Sequence, residues 1–222
     1  MLTPVAEDDP GETLESPRER LVCGMNEAVA AKGYAATTIA DVVRAARVSK
    51  RTFYEQFDDK LACFLAAYDA ASAHVIGAQA AAAERSAGEP WEARVAAVVD
   101  AYLDAMAARP ELTRTFLVEI LGAGPQALEH RREAIDRFAD ELVAFAAELR
   151  RDEPLLRPIS RTLATAVVGG INELVLSAAE GGRVGELAEL REPAVNMIRS
   201  VLRDEPRGAG RTSRSTRGGG AS

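Results

Sequence analysis

Cysteine is nearly missing from this chain of 222 residues, with Cys23 and Cys63 standing far apart. That usage excludes a disulfide-stapled scaffold, and the pair lacks the close spacing of a thiolate metal site. Histidine is equally scarce, at His74 and His130 only. No nucleophile–base pair, metal-ligand cluster or glycine-rich phosphate loop accompanies them, so nothing points to a catalytic centre, a metal or a cofactor. Aromatic residues make up 5% of the chain, and alanine stands in for them in stretches such as "AAYDAASAHVIGAQAAAAE". That substitution favours helices packed on small residues. No apolar run approaches the roughly 20 residues needed to cross a bilayer. The first residues, "MLTPVAEDDPGETLESP", are acidic and lack the apolar segment of a secretory signal. These shortages predict a cytoplasmic protein, away from any membrane, whose cysteines do not bridge.

What remains is ample for a core. The hydrophobic fraction is 47%, and the length suits one large domain or a small one joined to a larger. The net charge of -7 disfavours a general polyanion binder, yet the charge is uneven. Residues 1–16 carry five acids and no base, whereas residues 17–60 carry eight Lys/Arg against six Asp/Glu. A positive folded segment in an acidic chain hints at a local anionic partner.

Helix punctuation is dense in that segment. Ser16–Glu19 has capping-box spacing, with Pro17 at the first helical position. Leu21, Val22, Met25, Ala28 and Val29 follow at helical spacing, and Gly33 closes the helix. Thr38 and Asp41 open a short second helix by the same capping logic. Ser49 caps a third, and Asp59 a long fourth reaching about Glu84. Three short helices with a tight turn between the second and third outline a helix-turn-helix. Later breaks at residues 86–90, 108–112, 122–125, 152–158 and 180–185 divide the remainder, giving about nine helices and no strand.

On the third helix, successive residues turn by about 100°. Phe53 and Phe57 share the inward face. Lys50, Arg51 and Tyr54 point outward near the helix N-terminus, with Thr52 and Gln56 on the flank. Lysine and arginine suit guanine O6 and N7, while Tyr, Thr and Gln suit phosphate or base edges. Candidate DNA contacts are therefore Thr38, Ser49, Lys50, Arg51, Thr52, Tyr54 and Gln56, with Lys60 as a clamp on the DNA backbone. A capped surface helix with solvated charges is the plainer alternative for any one of these features.

The stretch "TTIADVVRAARVSKRTFYEQFDDKLACFLAAY" resembles the DNA-binding segment of the TetR family of bacterial transcriptional regulators. The resemblance rests on Thr38, Ile39–Ala40, Val48–Ser49, Thr52–Phe53–Tyr54, Phe57 and Asp59–Lys60, and it spans about residues 17–65. That family usually has glycine before the Val-Ser pair, where the turn is left-handed. Here Arg47 occupies the position, and a non-glycine residue in that conformation costs about 1–2 kcal/mol.

The resemblance implies an all-α protein with an N-terminal three-helix helix-turn-helix domain and a larger helical ligand-binding and dimerisation domain. The expected boundaries are a disordered acidic tail over 1–15, the DNA-binding domain over 16–60, the larger domain over 61–204 and a disordered basic tail over 205–222. It implies a homodimer, with Val167, Gly170, Ile171, Leu174, Val195 and Ile198 as interface candidates, although each suits an intramolecular core equally well. Met106, Phe116, Glu119 and Asn172 are candidates for contact with an unknown small-molecule effector. The expected partner is double-stranded DNA bearing a palindromic operator, with release by an apolar or amphipathic ligand. Two alternatives stay open at this point: a non-specific architectural DNA binder and a small all-α enzyme.

Overall fold

The computed structural model describes residues 16–203. The acidic tail expected over 1–15 and the basic tail expected over 205–222 lie outside the described residues. Among the described residues there is no strand. The elements are α1 (Pro17–Ala36), α2 (Ile39–Ala45), α3 (Lys50–Gln56), α4 (Lys60–Arg85), α5 (Trp91–Ala107) and α6 (Pro110–Arg114). A π-helical turn over Thr115–Glu119 leads into α7 (Ile120–Gly122), then α8 (Pro125–Asp152) and α9 (Arg161–Glu180). A 3-10 segment over Val184–Leu190 precedes α10 (Arg191–Leu202).

Local hydrogen bonds explain where the first four helices start. Ser16 and Glu19 form a reciprocal capping box on α1, and Thr38 and Asp41 do the same on α2. Ser49 Oγ accepts from the Thr52 N–H at the head of α3, and Asp59 accepts from the Ala62 N–H at the head of α4. Each satisfies a backbone donor that the helix itself leaves open. Gly33 breaks α1 with a φ of 79°, which only a residue without a Cβ adopts freely. Arg47 is the one described non-glycine residue with positive φ, at 53°. The left-handed turn between α2 and α3 is thus kept although the glycine is not.

Leu21, Met25, Val42, Phe53 and Phe57 are buried together and make the small core of the N-terminal helix-turn-helix domain. Gly24 allows α1 and α2 to touch at backbone distance. A Cβ there would lie 2.7 Å from the Ala46 nitrogen and 2.8 Å from the Val42 oxygen.

The larger domain packs α4 between α5 and α8, with α9 and α10 closing the far side. In α4 and α9, 18-residue windows reach a mean hydropathy of 1.4, long and apolar enough by composition to cross a membrane. The sequence expectation of no such stretch is corrected here, because alanine raises the hydropathy of helices whose faces differ in burial. Here α4 buries Cys63, Phe64, Ala67, Tyr68 and Val75 while its other side faces solvent.

Candidate DNA-binding surface and ligand cavity

The Phe53 and Phe57 rings, 5.9 Å apart, fasten α3 to the domain beneath it. Its outer edge is left to Lys50, Arg51, Tyr54, Glu55 and Gln56, all exposed. Tyr54 is 53% exposed, with one edge against the Phe53 ring at 5.5 Å between centres. The Lys50 ammonium lies 5.9 Å from the Tyr54 ring centre. Arg51 Nε donates to Glu55 Oε1 at 2.9 Å, one turn along the same helix. Glu55 was not among the sequence candidates, and its spacing of four residues from Arg51 was the available signal. Thr52 is half-buried, and its hydroxyl is 2.8 Å from that of Ser49. Thr38 stands exposed at the head of α2 and donates through Oγ1 to Asp41 Oδ2 at 2.6 Å.

Asp41 ties this unit together. It also accepts from Arg44 at 2.8 Å and from Lys32 on α1. The lysine and threonine donors hold its carboxyl well below the usual carboxylate range. Lys60 behaves differently from the expected DNA clamp. Its ammonium turns inward, donating to the Tyr34 and Thr37 carbonyls at 2.9 Å each, and lies 4.1 Å from the Tyr34 ring centre. Both carbonyls lie at the end of α1, where the Tyr34 oxygen also accepts from the Thr37 cap N–H, and the half-buried cation supplies the further donor they lack. Burial moves the lysine pKa downward.

A cavity of about 430 Å³ occupies the larger domain, between α4, α5, α8, α9 and the Phe116 turn. Tyr68 and Phe116 stack on its wall with ring centres 4.2 Å apart and planes 7° from parallel. Burial pushes the Tyr68 phenol up to about 12 and raises Tyr102 as well, so both are neutral hydrogen-bonding groups. Asn172, 9% exposed, also lines the space.

A sequence profile of the bacterial regulatory proteins of the tetR family matches residues 26–67, which run from within α1 to the first turns of α4. The chain thus carries a tetR-family DNA-binding segment at its head. It is a DNA-binding transcriptional regulator rather than an enzyme. No match is found among curated protein sequences. The whole fold is similar to solved structures. FadR from Bacillus subtilis, in complex with stearoyl-CoA, is 14% identical with a TM-score of 0.71, covering 83% of this chain and 98% of that one. The fatty acid degradation regulator FadR from Bacillus halodurans gives 14% and 0.73, over 87% and 100% of the two chains. A TetR family regulator from Marinobacter aquaeolei gives 20% and 0.60, over 86% and 97%.

On this fold, the sequence candidates divide cleanly. Met106, Phe116 and Asn172 line the cavity, but Glu119 does not. Its carboxylate accepts from the Tyr34 N–H at 2.8 Å, because the break at Gly33 turns that amide outward from α1. The interface candidates need more correction. Val167, Val195 and Ile198 are buried inside the protomer, and Ile171 and Ile198 line the cavity. Gly170 faces Met197 of the same chain, where a Cβ would lie 3.3 Å from its terminal methyl. Apolar periodicity had found the inward face of α9 and α10. The outward face of α9 carries Leu163, Ala166 and Ser177, with Leu174 half-covered beside them. Sequence reasoning also missed Arg94, which is 3% exposed and held by Glu148 and Asp152.

Proposed function

We propose that this regulator acts as a homodimer that reads a palindromic operator through α3 and leaves it when an apolar or amphipathic small molecule fills the cavity. The observation that carries the reading is the connection between cavity and DNA-binding unit. One helix, α4, is about 39 Å long at 1.5 Å per residue. Its first residue, Lys60, grips the end of α1, and Tyr68, two turns on, lines the cavity. The Phe116 turn stacks on Tyr68, and Glu119 at its end holds the Tyr34 amide. Two ties from the cavity wall thus converge on the end of α1.

A dimer must set its two α3 helices about 34–36 Å apart to enter successive major grooves. A ligand that favours any other setting of α4 weakens DNA binding. We assign base reading to Lys50, Arg51 and Tyr54, and phosphate contact to Thr38, Ser49, Thr52 and Gln56. Dimerisation is assigned to the outward faces of α9 and α10. The stearoyl-CoA in the Bacillus subtilis FadR supports a long apolar body for the ligand. Non-specific architectural binding is disfavoured by the chain charge of -7.

Selection from random duplexes tests the reading. The wild type is expected to enrich one palindrome, and Arg51→Ala to relax preference at one symmetric base pair, losing about 1–3 kcal/mol there. Enrichment of no sequence, with steep salt dependence, would favour the architectural alternative.

A further inference from the structure

The cavity is unevenly built, and its two ends differ in chemistry. Five of the chain's eleven aromatic residues line it: Tyr68, Tyr102, Phe116, Phe138 and Phe145. The hydroxyls of Tyr68 and Tyr102 and the carboxamide of Asn172 make no hydrogen bond to any described residue, although all three side chains are at least nine-tenths buried. Buried polar groups are ordinarily paired, so unpaired ones facing a cavity mark it as a binding space rather than packed core.

The opening is marked by the lining residues that also reach solvent, Ala80 and Glu84 on α4 and Glu141, Ala144 and Arg151 on α8. Charged lining residues are Glu84, Glu141 and Glu148 against Arg151 alone, a net of -2. Counting Arg94 and Asp152, which join Glu148 in an ion-pair cluster, leaves that balance unchanged. The Glu84 and Glu141 carboxylates have no ionic or hydrogen-bonded partner among the described residues.

We infer that the cavity takes an amphipathic organic cation, its alkyl or aryl body among the aromatic rings and its quaternary or protonated amine facing Glu84 and Glu141. The inference rests on the reading of this cavity as the effector site. An acyl-CoA would set several phosphate charges beside unpaired carboxylates, and a fatty acid would set one. A cation there gains the carboxylate field, and aromatic faces attract it further. Surface carboxylates act within a Debye length of about 10 Å at 0.1 M salt, so the preference is salt-dependent.

The test is calorimetric titration of the full chain with decyltrimethylammonium, decanoate and decanol, all below their micellar concentrations. At low salt the cation is expected to bind at least tenfold more tightly than decanoate, with decanol between. That tenfold corresponds to about 1.4 kcal/mol. In the double variant Glu84→Gln/Glu141→Gln the margin should collapse while decanol affinity stays constant, showing an intact cavity. Ala83→Trp, which fills the cavity, should abolish all three and so separates cavity binding from attraction to an acidic surface. Equal affinities, or decanoate binding most tightly, would overturn the cation inference and leave the effector site standing. Binding of none of the three would overturn both.

Discussion

Two glycine-to-alanine substitutions, both inside helices, are expected to move stability in opposite directions. Each gains about 1 kcal/mol of helix propensity, because alanine has less backbone freedom to lose. At Gly77, near the middle of α4, an added Cβ meets nothing within 4 Å, so Gly77→Ala should stabilise by about 0.5–1 kcal/mol. At Gly24 the same methyl would sit 2.7 Å from the Ala46 nitrogen, and ordinary contact begins at 3.4 Å. Restoring contact distance moves α2 by about 0.7 Å. The obstructing atoms are backbone, so no side chain can rotate away. Overpacking of this kind costs about 1–3 kcal/mol and can exceed that where backbone must move. Gly24→Ala is expected to lose about 1–2 kcal/mol net and to weaken operator binding, since α2 carries the turn that aims α3. Urea unfolding midpoints at constant slope measure the stabilities, and a filter or anisotropy titration measures DNA binding. Equal stability of the two variants would refute the claim that α1 and α2 meet backbone to backbone.

Lys60→Met should lose about 1–2 kcal/mol of stability, since it removes a partly exposed charge bonded to two carbonyls. Its salt slope for DNA binding should stay that of the wild type, whereas loss of a phosphate contact would reduce it by about one. The folded pKa of Asp41 lies below its unfolded value, so its contribution is complete above about pH 4 and disappears as pH falls toward the folded value. Urea midpoints on acidification should therefore fall less steeply in Asp41→Asn than in the wild type, and parallel curves would show that Asp41 does not set the acid limb.

Most of the DNA-binding unit was legible because its determinants are local. Ser16, Thr38, Ser49 and Asp59 bond to amides three residues away, so sequence spacing contains the whole interaction. Phe53 and Phe57 follow from helical periodicity, and the left-handed Arg47 follows from the resemblance. The larger domain was legible only in outline. Periodicity identifies which side of α9 is apolar, and that side served the protomer's own core rather than a partner. Met106, Phe116 and Asn172 were found at the cavity because bulky or polar groups on apolar helices need special surroundings. Glu119 had the same signature but answered to an amide 85 positions away, freed by the break at Gly33. Lys60 and Arg94 likewise depend on partners that only the tertiary arrangement supplies. The Gly24 approach is invisible for a similar reason, since a glycine inside a helix pattern does not announce what lies against it.

The central claim is that cavity and operator share one equilibrium through α4. It is tested most directly by titrating decyltrimethylammonium, or whichever ten-carbon probe binds, into the protein with its selected operator absent and then saturating. Linkage requires that the operator weaken the ligand by the same factor as the ligand weakens the operator. The account predicts a shift of at least tenfold in both directions, about 1.4 kcal/mol of coupling. A ligand that fills the cavity with the same affinity whether or not DNA is bound would contradict it.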